Sequence, residues 1–533
     1  MSTVAYRNLD SLQSFDKLRR SDRVDLRAAL SSEAERRVTS YCAPISNELN
    51  FNYAAKAVND EVLELLLQLA EEAQLLEKFR AVLSGEIVNT GENRMVLHHL
   101  TRGPLGPGVV SDARELQKFY REQHERAFAF AEKVHTGEIV GSTGKQFDTV
   151  VQIGIGGSDL GPRAMFHALE NIVIHNHGEN PLRTKFISNV DPDDAATVLA
   201  EINPETTLFV LVSKSGTTQE TLTNEAFVLD ALEQAGMPGL QPRKHVVAVT
   251  SESSPLAKSA EYLDAFFIDD YIGGRYSSTS AVGSVVLSLA FGPSIVARFL
   301  AGAHSADRAC LENPAATNAA LLDALIGVYE RNVLGYSATA VLPYSQALSR
   351  FPAHLQQLDM ESNGKRVNRF REPVAYHTGP LVFGEPGTNG QHSFYQLLHQ
   401  GTEIIPMQFI GFCRSQLQQD LEFEGSSSQR KLNANLVAQI VAFALGQEHE
   451  DANKAFPGGR PSSLIHGNRL TPEALGALLA HFENKVMFQG FAWNINSFDQ
   501  EGVQLGKVLT KQILSDDETQ APAIAALRRL LAV

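Results

Sequence analysis

The residue types most suggestive of chemistry form a short loop of hydroxyl side chains with one lysine. The loop follows a predicted strand, Thr207–Ser213, and contains Ser213, Lys214, Ser215 and Thr218. Hydroxyls, free backbone N–H groups and the positive end of a helix dipole together favour a phosphate group. The loop does not match the G-x-x-x-x-G-K-[ST] pattern of nucleotide-binding loops. We therefore expect a monophosphate site here; the alternative is a Ser/Thr-rich helix cap.

A second loop, Ile153–Pro162, joins a predicted strand to a predicted helix and is rich in glycine. It is not the G-x-G-x-x-G fingerprint of dinucleotide-binding proteins, because Asp159 stands where the third glycine would be. Its backbone N–H groups, together with Ser158, can hold a sugar hydroxyl or an anion. The alternative is a tight turn that needs glycine only for its backbone conformation.

Further charged residues lie in or near glycine-containing segments. Arg275 follows two glycines and could stabilise an anionic oxygen. Glu361, His392 and Lys507 could serve as acid or base groups. Each of them, considered alone, is more often a structural residue. The residues by themselves therefore predict a sugar-phosphate or phosphoester site and leave its reaction open.

Strand and helix patterns alternate around these loops. Short apolar, mostly β-branched runs predict strands at Thr149–Gly154, Thr207–Ser213, His245–Thr250, Ala265–Ile268, Ser337–Leu342, Gly379–Phe383 and Ile404–Ile410. Helices are predicted at Leu160–Ile174, from Thr217 to Ala235 with a Thr217–Glu220 capping box, and at His392–His399. Alternating strands and helices indicate parallel sheets with helices on both faces. We expect two such α/β units, with a boundary near residue 290.

The remaining segments are predicted more coarsely. The first 115 residues look helical, for example over Val58–Leu76, and residues 415–470 look polar and irregular. An amphipathic helix is expected at Ala521–Val533, with an apolar side that needs a partner surface. The segment Tyr276–Ala297 has no charged side chain and is long enough to span a membrane. Its many serines and Pro293 instead favour a buried core helix.

Composition narrows the classes of function. The 533 residues carry a formal net charge of -15, which argues against a general nucleic-acid-binding protein. The three cysteines are far apart and fit neither a disulfide framework nor a zinc site. The first residues contain no apolar core of a secretory signal. We therefore expect a cytoplasmic protein that binds neither nucleic acid nor membrane.

Taken together, these motifs resemble those of the glucose-6-phosphate isomerase family. They occur in the family's order, from about residue 150 to 507. Gly273–Ser277 and Asp499–Lys507 match the two signature regions of that family. The resemblance implies that Gly157 and Ser158 contact the sugar. It also implies that a loop formed by Ser213, Lys214, Ser215 and Thr218 binds the phosphate. It further implies that Gln357 and Gln500 line the site.

The resemblance also implies a reaction without metal or redox cofactor. Glu361 would be the base that moves a proton between C1 and C2 of a hexose 6-phosphate through a cis-enediol intermediate. Arg275 would stabilise that intermediate, and His392 with Lys507 would assist opening of the sugar ring. The reaction interconverts glucose 6-phosphate and fructose 6-phosphate in glycolysis and gluconeogenesis.

The family's fold implies two sugar-isomerase (SIS) αβα sandwich domains with parallel-rich sheets. Residues 1–115 would form an N-terminal helical region on the large domain, 116–290 the small domain, 291–510 the large domain and 511–533 a C-terminal helical arm. Members of the family are homodimers in which the partner subunit supplies the equivalent of His392.

Some positions differ from the commonest family pattern: Ser215, Gly216, the Ser278–Thr279 pair and Gln504. None of them removes a proposed catalytic group. Two alternatives to the isomerase remain: a non-catalytic sugar-phosphate sensor, and an isomerase of another phosphosugar such as mannose 6-phosphate. A sensor could lose the acid and base groups, whereas this chain has Glu361, His392 and Lys507.

Overall fold

The computed structural model describes residues 4–177, 181–515 and 522–531. The α-helices are α1 Gln13–Arg20, α2 Leu26–Ser40, α3 Asp60–Glu72, α4 Leu75–Leu83, α5 Leu116–His135, α6 Leu160–His177, α7 Pro192–Ala200, α8 Gln219–Gln234, α9 Ala281–Phe291, α10 Pro293–Glu312, α11 Ala319–Asn332, α12 Phe351–Gln356, α13 Tyr395–Gln400, α14 Ser428–Leu445, α15 Pro472–Ala492, α16 Gln504–Leu514 and α17 Pro522–Leu531.

The strands are β1 Cys42–Ser46, β2 Leu49–Asn52, β3 Val110–Ser111, β4 Arg114–Glu115, β5 Thr149–Ile153, β6 Arg183–Ile187, β7 Thr207–Val212, β8 Val246–Thr250, β9 Asp264–Phe267, β10 Ala338–Pro343, β11 Leu381–Phe383, β12 Met407–Phe412, β13 Glu422–Phe423, β14 Ser426–Ser427 and β15 Ser462–Gly467. Two larger sheets form from these strands.

The first sheet is parallel throughout, in the order β6-β5-β7-β8-β9. Alternate side chains of a strand point to opposite faces. Val210 and Val212 of β7 belong to a core that includes α5 and α9. Phe209 and Leu211 belong to a separate core with α7 and α8. Because helices cover both faces, every residue of β7 is buried, which explains the uninterrupted apolar run that predicted it.

The second sheet has the order β1-β2-β15-β12-β10-β11. The strands β15, β12, β10 and β11 are parallel, and the β1–β2 hairpin adds to β15 in antiparallel orientation. Leu342 and Phe409 pack with α13 and α14, whereas Val341 and Ile410 face the core that contains α15. The prediction of two parallel-rich sheets with helices on both faces is therefore confirmed.

Two regions contain more structure than the sequence predicts. The segment 415–470, expected to be irregular, contains α14 and the interior strand β15. The strand escapes detection because it begins with two serines, Ser462 and Ser463, which are buried. The N-terminal region, expected to be helical, also supplies β1 and β2. These strands are short and mix polar with apolar residues, so their pattern is weak.

The uncharged segment is buried from Tyr276 to Phe291, whereas Ser294 and Ala297 on α10 are exposed. Every residue of α9 is buried, and Pro293 begins α10 at a position where a helix tolerates proline. The Ser280 hydroxyl accepts the Val282 N–H and caps α9. The prediction of a buried core helix is confirmed. Among the described residues, no helix is both long and apolar enough to cross a bilayer.

The predicted capping box of α8 does not form. The helix begins at Gln219, its N-cap residue is Thr218, and no side chain caps it. Thr217 instead donates its hydroxyl to the Ser215 Oγ at 2.9 Å, which closes the preceding loop on itself. The prediction was wrong because the loop uses this threonine for its own turn. The first N–H groups of α8 are left without a side-chain acceptor.

Candidate active site

Two loops meet where the first sheet passes into its helices. The turn Gly156–Ser158 follows β5 and contacts the turn Gly274–Tyr276, which precedes α9. A Cβ atom built at Gly157 would overlap the carbonyl group of Gly274. Only glycine lets the two backbones approach this closely. This contact joins the predicted sugar-binding turn to the turn that carries Arg275.

Gly157→Ala tests the contact. We expect kcat/KM to fall between about 10- and 100-fold, because separating the two backbones displaces the groups on both. The measurement is steady-state kinetics beside a thermal melt. Gly108→Ala is the matched control, since a Cβ atom there meets nothing within 4 Å. Wild-type kinetics in Gly157→Ala would contradict the proposed role of this approach.

The predicted phosphate loop is organised by its own hydroxyls. Ser213 Oγ lies 3.0 Å from Thr218 Oγ1 and accepts the Gly216 N–H at 3.2 Å. Gly216 has a φ of 65°, and a Cβ atom there would overlap the Ser254 hydroxyl. This loop conformation therefore requires glycine at a position where the family often has a larger residue. With the uncapped N-terminus of α8 behind it, the loop presents N–H and O–H donors to an anion.

Lys214 connects the phosphate loop to the arginine turn. Its Nζ donates to the Ile272 carbonyl at 3.1 Å, directly before Gly273. Burial lowers the pKa of Lys214 from its usual value, while Asp270 and Glu92 act in the opposite direction. A partly desolvated lysine therefore lies beside the hydroxyl groups of this loop and adds positive charge to it.

Arg275 is held rigidly at the centre of the site. Only 2% of its surface is exposed. Its Nε donates to Ser362 Oγ at 2.6 Å, and its Nη2 donates to the carbonyls of Ser497 at 2.6 Å and Asp499 at 3.0 Å. These acceptors fix the plane of the guanidinium group. The remaining nitrogen, Nη1, lies 3.5 Å from Glu361 Oε2.

Glu361 and Gln357 stand at the two ends of one unusual turn. The π-helix Gln357–Glu361 continues α12, and such turns are frequent at functional sites. Glu361 Oε2 and Gln357 Oε1 are buried, and neither has a hydrogen-bond partner among the described residues. Buried polar atoms are usually paired, so these oxygens indicate a place that a ligand completes. Near Glu361, a cavity of about 540 Å³ opens, with Lys365, Asp499 and Gln500 in its lining.

Comparison with known proteins now identifies the family. The family model for phosphoglucose isomerase matches residues 52–525. The chain belongs to the phosphoglucose isomerase family. It is 58% identical to the glucose-6-phosphate isomerase of Treponema denticola, over 99% of this chain and 100% of that protein. It is 48% identical to that of Borreliella afzelii, over 98% of each.

A solved structure extends the comparison to the fold. The crystal structure of a glucose-6-phosphate isomerase from Chlamydia trachomatis superposes with a TM-score of 0.91 and 41% sequence identity, and the match covers 99% of both chains. A hypothetical protein from Thermus thermophilus matches with a TM-score of 0.66 and 26% identity over 84% of this chain. The chain thus has the phosphoglucose isomerase fold over nearly its whole length.

Most of the residues suggested by the family resemblance gather in one region, whereas His392 and Lys507 are exposed to solvent. His392 is exposed, at the end of a short turn after the loop Gly384–Gln391. Lys507 is exposed on α16, in which no residue is buried. No hydrogen bond or ion pair within the described residues joins either side chain to Glu361 or Arg275.

Some residues of this phosphoglucose isomerase site were missed from the sequence. Ser362 accepts from Arg275 and also lies 3.0 Å from the Tyr276 hydroxyl. The carbonyls of Ser497 and Asp499 are backbone groups, which no side-chain motif reveals. Ser362 is adjacent to Glu361, and Asp499 is adjacent to Gln500. The only signal in the sequence for Ser362 and Asp499 was that they are adjacent to predicted site residues.

Proposed function

We propose that the protein is a glucose-6-phosphate isomerase, which interconverts glucose 6-phosphate and fructose 6-phosphate in glycolysis and gluconeogenesis. The relative from Treponema denticola, 58% identical, carries that name. The observation that carries the proposal is the pairing of Glu361 and Arg275. Glu361 Oε2, which accepts no hydrogen bond among the described residues, lies 3.5 Å from Nη1 of a rigidly held guanidinium group. A base beside a fixed positive charge suits removal of a proton with stabilisation of the resulting anion.

The proposed steps follow from these positions. The phosphate loop of Ser213, Lys214, Ser215 and Thr218 binds the phosphate end of the sugar, so that its binding energy orients the reacting carbons. After ring opening, Glu361 removes the C2 proton of the aldose, and the C2–H electron pair forms the enediolate. A proton passes from the C2 hydroxyl to O1, the same carboxyl returns its proton to C1, and the electron pair left on O2 forms the C2 carbonyl of the ketose. Arg275 stabilises the negative charge between the two transfers.

The remaining residues complete the substrate contacts. Gly157, Ser158, Gln357 and Gln500 contact the sugar hydroxyls in this proposal. The free Gln357 Oε1 and the exposed side chain of Gln500 at the cavity support it. His392 and Lys507 transfer protons to and from the ring oxygen and the anomeric hydroxyl. A cytoplasmic location is proposed with the glycolytic role.

A coupled assay tests the proposed activity. Fructose 6-phosphate is supplied, and the formation of glucose 6-phosphate is followed through its oxidation by a dehydrogenase. We expect sustained turnover, and much slower turnover with mannose 6-phosphate. A folded protein that binds fructose 6-phosphate without converting it would indicate the sensor instead. A preference for mannose 6-phosphate would indicate the isomerase of another phosphosugar.

We also propose that the protein is a homodimer in which each site takes His392 of the partner subunit. Exposed apolar side chains support an intersubunit surface on the C-terminal helices and on α14: Leu505, Val508, Leu514, Leu527, Leu530, Leu531, Val437 and Val441. Leu530 and Leu531 of α17 are 76% and 81% exposed. Apolar faces this open are typical of interaction sites. Docking against a partner would also give α16, and therefore Lys507, a fixed position.

Co-expression of two inactive variants tests the shared site. Glu361→Gln and His392→Ala in equal amounts should regain about a quarter of wild-type activity, because about half of the dimers are mixed and each mixed dimer has one intact site. The measurement is the coupled assay on the unfractionated co-expressed protein, which contains all three kinds of dimer. Glu361→Gln with Arg275→Lys is the control, since both residues belong to one subunit and no intact site can form. No recovery with His392→Ala would place His392 outside the partner's site.

A further inference from the structure

The segment that holds Arg275 needs its own anchor. Ser497 and Asp499, whose carbonyls accept from Arg275, lie in the irregular connection between α15 and α16. Backbone carbonyls in an irregular connection have no helix or sheet to fix them. Gln500 follows immediately and lines the cavity beside Glu361. Whatever fixes this connection also fixes the guanidinium of Arg275 and the side chain of Gln500.

Lys365 supplies that anchor. Its Nζ donates to the Asp499 carbonyl at 2.9 Å and to Asp499 Oδ1 at 2.6 Å. The two side chains are only 16% and 15% exposed. The other carboxylate oxygen, Oδ2, accepts from Asn496 at 2.7 Å. One ammonium group therefore binds both the main chain and the side chain of the same residue.

The Asp499 carbonyl is the point where two cations converge. It accepts from Lys365 Nζ at 2.9 Å and from Arg275 Nη2 at 3.0 Å. Two donors on one carbonyl use both of its lone pairs. Lys365 also lies four residues after Glu361, at the end of the segment that starts with the π-helix. It thus ties the segment of the base to the acceptor of the arginine.

We infer that Lys365 is a positioning residue for the isomerisation, which sets Arg275 and Gln500 relative to Glu361 through Asp499. This inference rests on the proposed function. Lys365 touches no reacting atom in this assignment, because Asp499 occupies its ammonium. Without it, the Asp499 carbonyl keeps one donor and its carboxylate loses its counter-charge. Ser497 stays bound through its hydroxyl to Asn363 Oδ1, but the Asp499 end of the connection can shift, and a shift of about 1 Å at a catalytic group can lower the rate about 100-fold.

Lys365→Met keeps the length of the side chain and removes the donor. We expect kcat to fall about 30-fold, since the misplaced groups act mainly in the transition state. The inhibition constant of inorganic phosphate should change less than about twofold, because the phosphate loop lies on the first sheet. Lys365→Arg, which keeps charge and donors, should recover most of the loss. Lys454→Met is the control, because Lys454 forms an exposed pair with Asp451 at 3.9 Å.

A double-mutant cycle separates positioning from general damage. If Lys365 acts through Asp499, Lys365→Met with Asp499→Asn should be no slower than the slower single variant, rather than the product of both losses. Wild-type kcat in Lys365→Met, or weaker phosphate binding in parallel with kcat, would overturn the inference. Amide hydrogen exchange over residues 496–503 should rise in Lys365→Met with or without turnover. An inactive wild type would reject the proposed function, whereas unchanged exchange and kinetics would reject the positioning role.

Discussion

Glu361→Gln is expected to lower kcat by about 10²- to 10⁴-fold, the range typical for loss of a general base, and to leave KM within about threefold. Glutamine has the same shape, but its amide cannot take the C2 proton. The glutamine side chain should stay beside Arg275 Nη1, which lies 3.5 Å from Glu361 Oε2 in the wild type, but it carries no negative charge. Steady-state kinetics measures the loss. Isomerisation in D₂O gives a second readout, because exchange of the C2 proton with solvent should disappear together with turnover.

Asp359→Asn is the control for that experiment. Asp359 lies in the same π-helix but is buried, and its Oδ1 accepts from Asn363 at 3.4 Å. Burial raises the pKa of Asp359 to about 6. The folded state therefore holds this proton more tightly than the unfolded chain, and the wild type loses stability as the pH rises from about 4 to about 6. Asparagine removes that loss and should keep activity within about threefold. A Glu361→Gln variant with more than about a tenth of wild-type kcat would reject Glu361 as the base.

Arg275→Lys is expected to lower kcat by about 10²- to 10³-fold, as removal of one preorganised donor at a developing oxyanion does. Lysine keeps the positive charge. It cannot, however, bind Ser362 Oγ, the Ser497 carbonyl and the Asp499 carbonyl while still facing Glu361. The enediolate would then form beside a mobile charge. The loss should appear in kcat, with phosphate inhibition unchanged, because Lys214 and the phosphate loop remain intact.

Arg298→Lys provides the comparison for the arginine substitution. Arg298 binds Glu473 at the surface through Nε at 2.6 Å and Nη2 at 3.0 Å. Exposed pairs of this kind contribute little, so we expect kinetics within about twofold of wild type. If Arg275→Lys also kept kinetics within about twofold of wild type, a positive charge alone would suffice for stabilising the enediolate. The hydrogen bonds that fix the guanidinium group of Arg275 would then have no role in the reaction.

The sequence predicted β5, β7 and β8 of the first sheet because these interior strands are buried on both faces, whereas the more exposed edge strand β6 was not predicted. Apart from one threonine in each strand and Gln152 in β5, the residues of these three strands are apolar, a pattern that the sequence alone reveals. β15 is equally interior, but Ser462 and Ser463 interrupt its apolar character. The β1–β2 hairpin was missed for a different reason. Its strands become recognisable only through their pairing with β15, a distant part of the chain.

The candidate site was predicted in the same uneven way. Motif residues such as Glu361, Arg275 and Ser213 stood out because their types suggest chemistry. The groups that hold them did not: Ser362, two backbone carbonyls and Lys365 have no distinctive spacing. Thr279, one of the departures from the common family pattern, bonds to Thr101 and Arg102 inside the protein. Its hydroxyl satisfies a buried arginine, a role that only three-dimensional contacts reveal.

The β1–β2 hairpin has a consequence for the order of folding. Asn52 pairs with Leu464, so the two strands are roughly 400 residues apart in the chain, a separation typical of slow steps. A ribosome finishes every strand of the first sheet before it begins β10, and β15 comes last of all. The first sheet can therefore assemble during synthesis. The hairpin is synthesised first, and the edge of β2 that pairs with β15 stays unpaired until nearly the whole chain has emerged. An unpaired strand edge can pair with other chains, so we expect chaperone protection of the nascent chain to be most important at this stage.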